Sequence, residues 1–234
     1  MEAMTMALKQ EELEKRLRER GDNYLYQISQ ITAKTYTEAI ISYVLNYEIE
    51  NNQLINVKMI NRKDSGKPKC YIDAHGETNR EAKSNRVEEI IVIDMFEKYK
   101  NSVHPVFGQI IDYQIPLKGS LHDKAKAIDF INYKNGNLYL TEIKAPGSTE
   151  SVLKAILEIQ TYYQVLDKKT LTDEIKAKRE ISVDIENIKK CIAVFENTLA
   201  AEQLKTNDKI KELIKLFDIE VKILHLENEV SEAK

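Results

Sequence analysis

Three features of the 234-residue sequence predict an α/β fold on a mixed sheet. Strand-length apolar runs recur between residues 107 and 144 and again in "KKCIAVFE" and "IEVKILHLE". Segments of helical period lie between and before them. An Asn-Gly pair, Asn135-Gly136, joins two of the apolar runs with the turn signature of a β-hairpin.

Taken in order, residues 4–20 are dense in Glu, Lys, Arg and Leu and stop at Gly21, the pattern of an exposed helix with a glycine cap. Residues 24–48 place Leu25, Ile28 and Ile31, then Ile40, Ile41, Val44 and Leu45, at spacings of three and four, so 1–55 is expected to be a helical N-terminal extension and 56–234 the main domain. "NRKDSGKPKC" is a polar loop, and 58–86 holds eight Lys/Arg against four Asp/Glu. "SNRVEEIIVIDMFEKY", with Ser84 as a candidate N-cap and apolar residues nearly all round, predicts a buried helix over 85–99. A strand follows in "FGQIIDYQIPL", ending near Pro116, then the polar "KGSLHDKAK". Strands over 127–133 and 138–144 come next, then a capped helix from "STES" to about 166. The strand "KKCIAVFE", one helix over "AEQLKTNDKIKELIKLF" and the strand "IEVKILHLE" complete the order α-β-β-β-α-β-α-β from residue 84.

Composition narrows the function classes. No run reaches the roughly 18 apolar residues of a membrane span. The N-terminus is charged where a signal peptide needs an apolar middle, so a cytoplasmic location and no membrane partner are expected. Cys70 and Cys191 are isolated, which excludes a CxxC zinc or iron–sulfur framework. The net charge of −3 means that a nucleic acid would be held by a local basic patch. His75, His104, His122 and His225 have no ligand spacing, and no phosphate-binding GxxxxGK[ST] loop is present.

The stretch "DFINYKNGNLYLTEIK" carries the chemistry. If Asn135-Gly136 is a bulge-free two-residue turn, Lys134 faces Asn137 and Asp129 falls opposite Glu142, with Lys144 on the same face one step further from the turn. That face also carries Ile131, Tyr133, Leu138 and Leu140, and the other carries Ile128, Phe130, Tyr139 and Ile143, so both are expected to be covered. Two half-buried carboxylates at cross-strand distance repel unless a cation lies between them. A metal site meets that need; a structural ion-pair network centred on Lys144 meets it too.

Asp129, then Glu142-Ile143-Lys144 at the end of the next strand, between helices carrying Glu88 and Gln160, resembles the PD-(D/E)xK nuclease superfamily over roughly residues 84–196. "QTYY", with Gln160 and Tyr163, resembles the Gln-Tyr element of RecB-like nuclease domains; Ile128 stands where many members have proline. The resemblance implies a restriction-endonuclease-like core, helix, three-stranded meander, helix and strand. It implies Mg²⁺, with Mn²⁺ as a substitute, held by Asp129, Glu142, the Ile143 carbonyl and an acid of the first helix, Glu88 in preference to Glu89. It makes Lys144 the residue that positions or activates the attacking water, with Gln160 orienting the site. The hard cation suits oxygen donors and acidifies a bound water, and a nearby ammonium stabilises the developing charge.

The expected activity is Mg²⁺-dependent hydrolysis of phosphodiester bonds in DNA. The alternative is a catalytically silent nuclease-fold module that binds nucleic acid or assembles a larger complex. Lys118, Lys124 and Lys126 are candidate phosphate contacts, Tyr162 and Tyr163 candidate stacking residues, and the N-terminal helices a surface for a homodimer or a partner protein.

Overall fold

The computed structural model describes residues 86–117 and 127–225, together with Lys15, Ile41, Val44, Leu45 and 70–72. Five strands form one mixed open sheet in the order β1 (Gln109–Pro116), β2 (Ala127–Lys134), β3 (Asn137–Lys144), β4 (Ile188–Phe195), β5 (Ile219–Leu224). The first three are an antiparallel meander; β3, β4 and β5 are parallel, so their connections must cross over and do so through helices. Helix α1 (Val87–Tyr99) precedes the sheet, α2 (Val152–Val165) and α3 (Lys168–Arg179) join β3 to β4, and α4 (Leu199–Thr206) and α5 (Asp208–Leu216) join β4 to β5. Among the described residues no helix is long and apolar enough to cross a membrane.

Both sheet faces are covered, as the strand patterns predict. Ile131, Leu138, Leu140, Ile192 and Val194 pack with apolar residues of α2 to α5 in the larger core. Ile41, Val44 and Leu45, helical and buried, join that core; apart from these and the exposed, helical Lys15, the predicted N-terminal extension lies outside the described residues. On the other face Phe130, Ile143, Ala193 and Phe195 pack beneath Ile91, Val92, Met95 and Phe96 of α1. Ile128, expected on the same face as Phe130 and Ile143, packs in the larger core instead.

The hairpin follows its turn chemistry. Asn135 and Gly136 both have positive φ, +52° and +83°, as a type I′ turn requires. Pairing runs without a bulge from Lys134↔Asn137 to Phe130↔Thr141. One step beyond, the Asp129 side chain replaces the ladder: the Ile143 N–H donates to its Oδ2 at 2.9 Å.

The meander is anchored at its other end by the turn before β1. His104 is fully buried, and its Nδ1 accepts from the Val106 and Phe107 amides at 3.0 and 3.2 Å. Gly108, at φ +78°, would place any Cβ 2.4 Å from the Tyr133 carbonyl oxygen. Gly108→Ala is therefore expected to cost about 3 kcal/mol of stability through backbone strain and a clash that cannot relax, measured as a lower urea midpoint with an unchanged slope.

Several elements differ from expectation. The N-cap of α1 is Arg86, with no side-chain cap, while Ser84 lies outside the described residues; α1 buries one face only, leaving Val87 and Ile90 exposed. Helix α3, capped by Asp167, has no counterpart in the sequence pattern because it buries only Leu171, Thr172 and Ile175 in a strongly polar run. The helix expected over 201–217 is two, broken at extended Asn207, whose side chain caps α5 by accepting from the Ile210 N–H.

Candidate active site

At the open end of the hairpin, Asp129, Glu142 and Lys144 come together as the register requires. Lys144, 3% exposed, points from β3 toward α2. Its Nζ lies 3.2 Å from Glu142 Oε1, 3.1 Å from Glu158 Oε2 and 3.3 Å from Glu150 Oε2. Burial alone would lower its pKa, but the carboxylates of Glu142 and Glu158, then Glu88 and Asp129, outweigh that and hold it well above the usual lysine range. Lys144 is thus a fixed ammonium.

The carboxylates show the opposite stress. Burial pushes Asp129 up to about 7, against the opposing pull of Lys144 and the Ile143 N–H. Burial, then the Asp129 and Glu158 charges, push Glu142 well above the usual carboxylate range, with Lys144 only partly compensating. Oε2 of Glu142 is buried and meets no donor among the described residues. Glu150 differs: burial works to raise it, yet its hydrogen bond to Lys154 and the charge of Lys144 hold it below the usual range.

Among the described residues, the cleft around these groups carries more negative than positive charge. Its acids are Glu88, Glu89, Asp129, Glu142, Glu150 and Glu158. Its bases are Arg86, Lys144 and Lys154. The side-chain oxygen without a donor and the raised carboxyls both indicate a deficit of positive charge, which is the condition a divalent cation relieves. The donors fit a hard cation, since all are oxygens. Ile143 adds another: N–H and C=O of one strand residue point to the same side, so its carbonyl faces β2 and Asp129 as its amide does. Among the described residues no three His, Cys, Asp or Glu side chains form a ready-made metal cage.

Glu88, from the first helix, borders the same cleft. Glu88 Oε1 accepts from the Ala145 N–H at 3.5 Å and its charge acts on Asp129 and Lys144; Glu89 lines the cleft beside it. Gln160 is elsewhere. Its Oε1 accepts from Lys190 Nζ at 2.8 Å, and Lys190 also lies over the Tyr163 ring, so the Gln-Tyr element is tied to the start of β4 rather than to Lys144. The α2 residue that reaches the site is Glu158, two positions earlier and 2% exposed, with Tyr162 one turn further along. Glu158 is missed by the sequence reading, although it is the sole carboxylate within Val152–Val165. Lys118, Lys124 and Lys126, the basic stretch up to 85 apart from 70–72, and His75 and His122 lie outside the described residues. His225 pairs with Glu196, and the buried Cys191 thiol is pushed up to about 12 by burial, then Glu220.

No protein-family model, curated protein or solved structure matches this chain.

Proposed function

We propose that the protein is a Mg²⁺-dependent nuclease of the PD-(D/E)xK type, with a restriction-endonuclease-like core, hydrolysing phosphodiester bonds in DNA. The observation that carries this is the convergence of Asp129, Glu142 and Lys144 at one strand end, with Glu88 from α1 and Glu158 from α2 closing on the same charges. The helix, antiparallel meander, helical crossover and parallel strand are the succession that core requires.

In this reading Asp129, Glu142 and the Ile143 carbonyl would hold the cation, with Glu88 lining the same cleft. Mg²⁺ suits such a partial set, because it keeps several waters and takes one or two carboxylates. When bound it supplies an acidified water and neutralises phosphate charge. Lys144, locked as an ammonium, is not a base: its N–H groups go to Glu142, Glu150 and Glu158, and its positive charge stabilises the charge that develops at phosphorus. Glu158 and Glu150 position Lys144 from the α2 side. Gln160, tied to Lys190, takes no part in orienting these groups.

The test is cleavage of supercoiled plasmid, linear duplex and single-stranded DNA with Mg²⁺, Mn²⁺ or EDTA. Cleavage is expected with either metal, none with EDTA, and none by Asp129→Asn. A second reading has its own support, since an ammonium within 3.3 Å of three carboxylates is also a buried structural network. DNA retarded in a gel but uncut by wild type would favour a silent binding module, and neither binding nor cleavage would favour that structural network.

A further inference from the structure

Gln114 in β1 has a left-handed backbone, φ +48°, where a strand residue is normally extended. It is not the bulge in β1, which falls between Ile110 and Asp112. The pairs Tyr113↔Phe130 and Ile115↔Ile128 bracket it, so Gln114 sits across from Asp129. The consequence is visible in the packing. Residues two apart in a strand share a face, yet Tyr113 packs in the smaller core and Ile115 in the larger one. Phe130 and Ile128 divide the same way across the sheet. Both strands therefore change face at the Gln114/Asp129 pair, and the two side chains between line the cleft.

A non-glycine residue held at positive φ is strained, and such strain persists where the surrounding structure and the function over-determine it. Glycine would relieve it at no steric cost. What glycine could not supply is the carboxamide. Among the described residues, the other donors of the cleft are committed: Lys144 to three carboxylates, Lys154 to Glu150, and Arg86 and Tyr162 to partners of their own. The Gln114 amide makes no hydrogen bond or ion pair among the described residues.

We infer that Gln114 is a substrate-binding residue, whose side-chain NH₂ donates to a non-bridging oxygen of the phosphodiester next to the Asp129 carboxylate. A neutral amide suits this place. It offers two donors to phosphate without being captured by the surrounding carboxylates, which a lysine or arginine there would be. The inference deepens the nuclease reading and rests on it.

The test compares wild type with Gln114→Gly and Gln114→Ala. Binding of a fluorescently labelled DNA oligonucleotide is followed by anisotropy in Ca²⁺, which offers the same oxygen donors a non-native hard cation, and KM and kcat for DNA cleavage are measured in Mg²⁺. Gln114→Gly is expected to unfold at a temperature no lower than wild type, so loss of fold does not confound it. Both variants are expected to raise Kd and KM about tenfold, with a smaller change in kcat, and to keep the wild-type rise in unfolding temperature on adding Mg²⁺. A change in Kd and KM of less than threefold overturns the assignment of Gln114 and leaves the nuclease reading standing. A wild type that neither binds nor cleaves DNA overturns both.

Discussion

Lys144→Ala lowers the rate of metal-dependent DNA cleavage by a factor on the order of 10³ while leaving Mg²⁺ binding in place. The magnitude is that of removing one preorganised positive group beside developing charge. Lys144 is 3% exposed and its geometry is fixed by Glu142, Glu150 and Glu158, so its charge is held at one place in the cleft. Stability should fall as well. Removing the ammonium leaves Glu142 and Glu158 buried without their cation, a loss of about 3 kcal/mol for the metal-free protein. Mg²⁺ should recover part of it. Single-turnover cleavage and thermal unfolding with and without Mg²⁺ separate the two effects. Cleavage within tenfold of wild type would remove Lys144 from the mechanism.

Asp129→Asn has the second large effect: it abolishes cleavage, removes the Mg²⁺-dependent rise in unfolding temperature and flattens the pH dependence of the metal-free protein. The sign follows from the direction of the shift. Burial raises the Asp129 carboxyl to about 7 in the folded protein from the ordinary 3.8, so its contribution is fully present below the unfolded value and is lost as pH rises through about 7. Glu142, also raised, acts in the same direction. Lys144 is raised above 10.5 and stays protonated in both states, so it adds no slope between pH 5 and 8. In EDTA, wild type should therefore be more stable at pH 5 than at pH 8, and Asp129→Asn should reduce that difference. Metal competes with these protons, so 10 mM Mg²⁺, on the order of magnitude used to saturate weak sites, should stabilise wild type more at pH 8 than at pH 5. Urea midpoints at both pH values, with Mg²⁺ and with EDTA, give all four quantities. An unchanged midpoint on adding Mg²⁺ at pH 8 would exclude a cation held by Asp129.

The parts of the fold legible in the sequence are those fixed by local chemistry. Asn135-Gly136 dictates a type I′ turn, the turn dictates the register, and the register delivers Asp129, Glu142 and Lys144 to one strand end. Ser151 caps α2 through the Leu153 N–H as its position predicts. Less legible elements carry weak or conflicting local signals. Helix α3 is polar with a narrow apolar stripe, and the helical period over 201–217 conceals the break at Asn207, because an asparagine can cap a helix as readily as interrupt one.

The sequence by itself determined the hairpin, the alternation of strands and helices, and the three charged residues of the candidate site. Tertiary structure decided which further groups reach them. Ten of the fourteen residues of α2 are buried, so its apolar pattern carries no direction, and the rotation that brings Glu158 to Lys144 while turning Gln160 to Lys190 is set by packing on the sheet. Gln114 is the clearest case. Nothing in "DYQIP" announces a left-handed residue, because that backbone is imposed by the change of face shared with Asp129 across the sheet, a constraint between strands that no local propensity records.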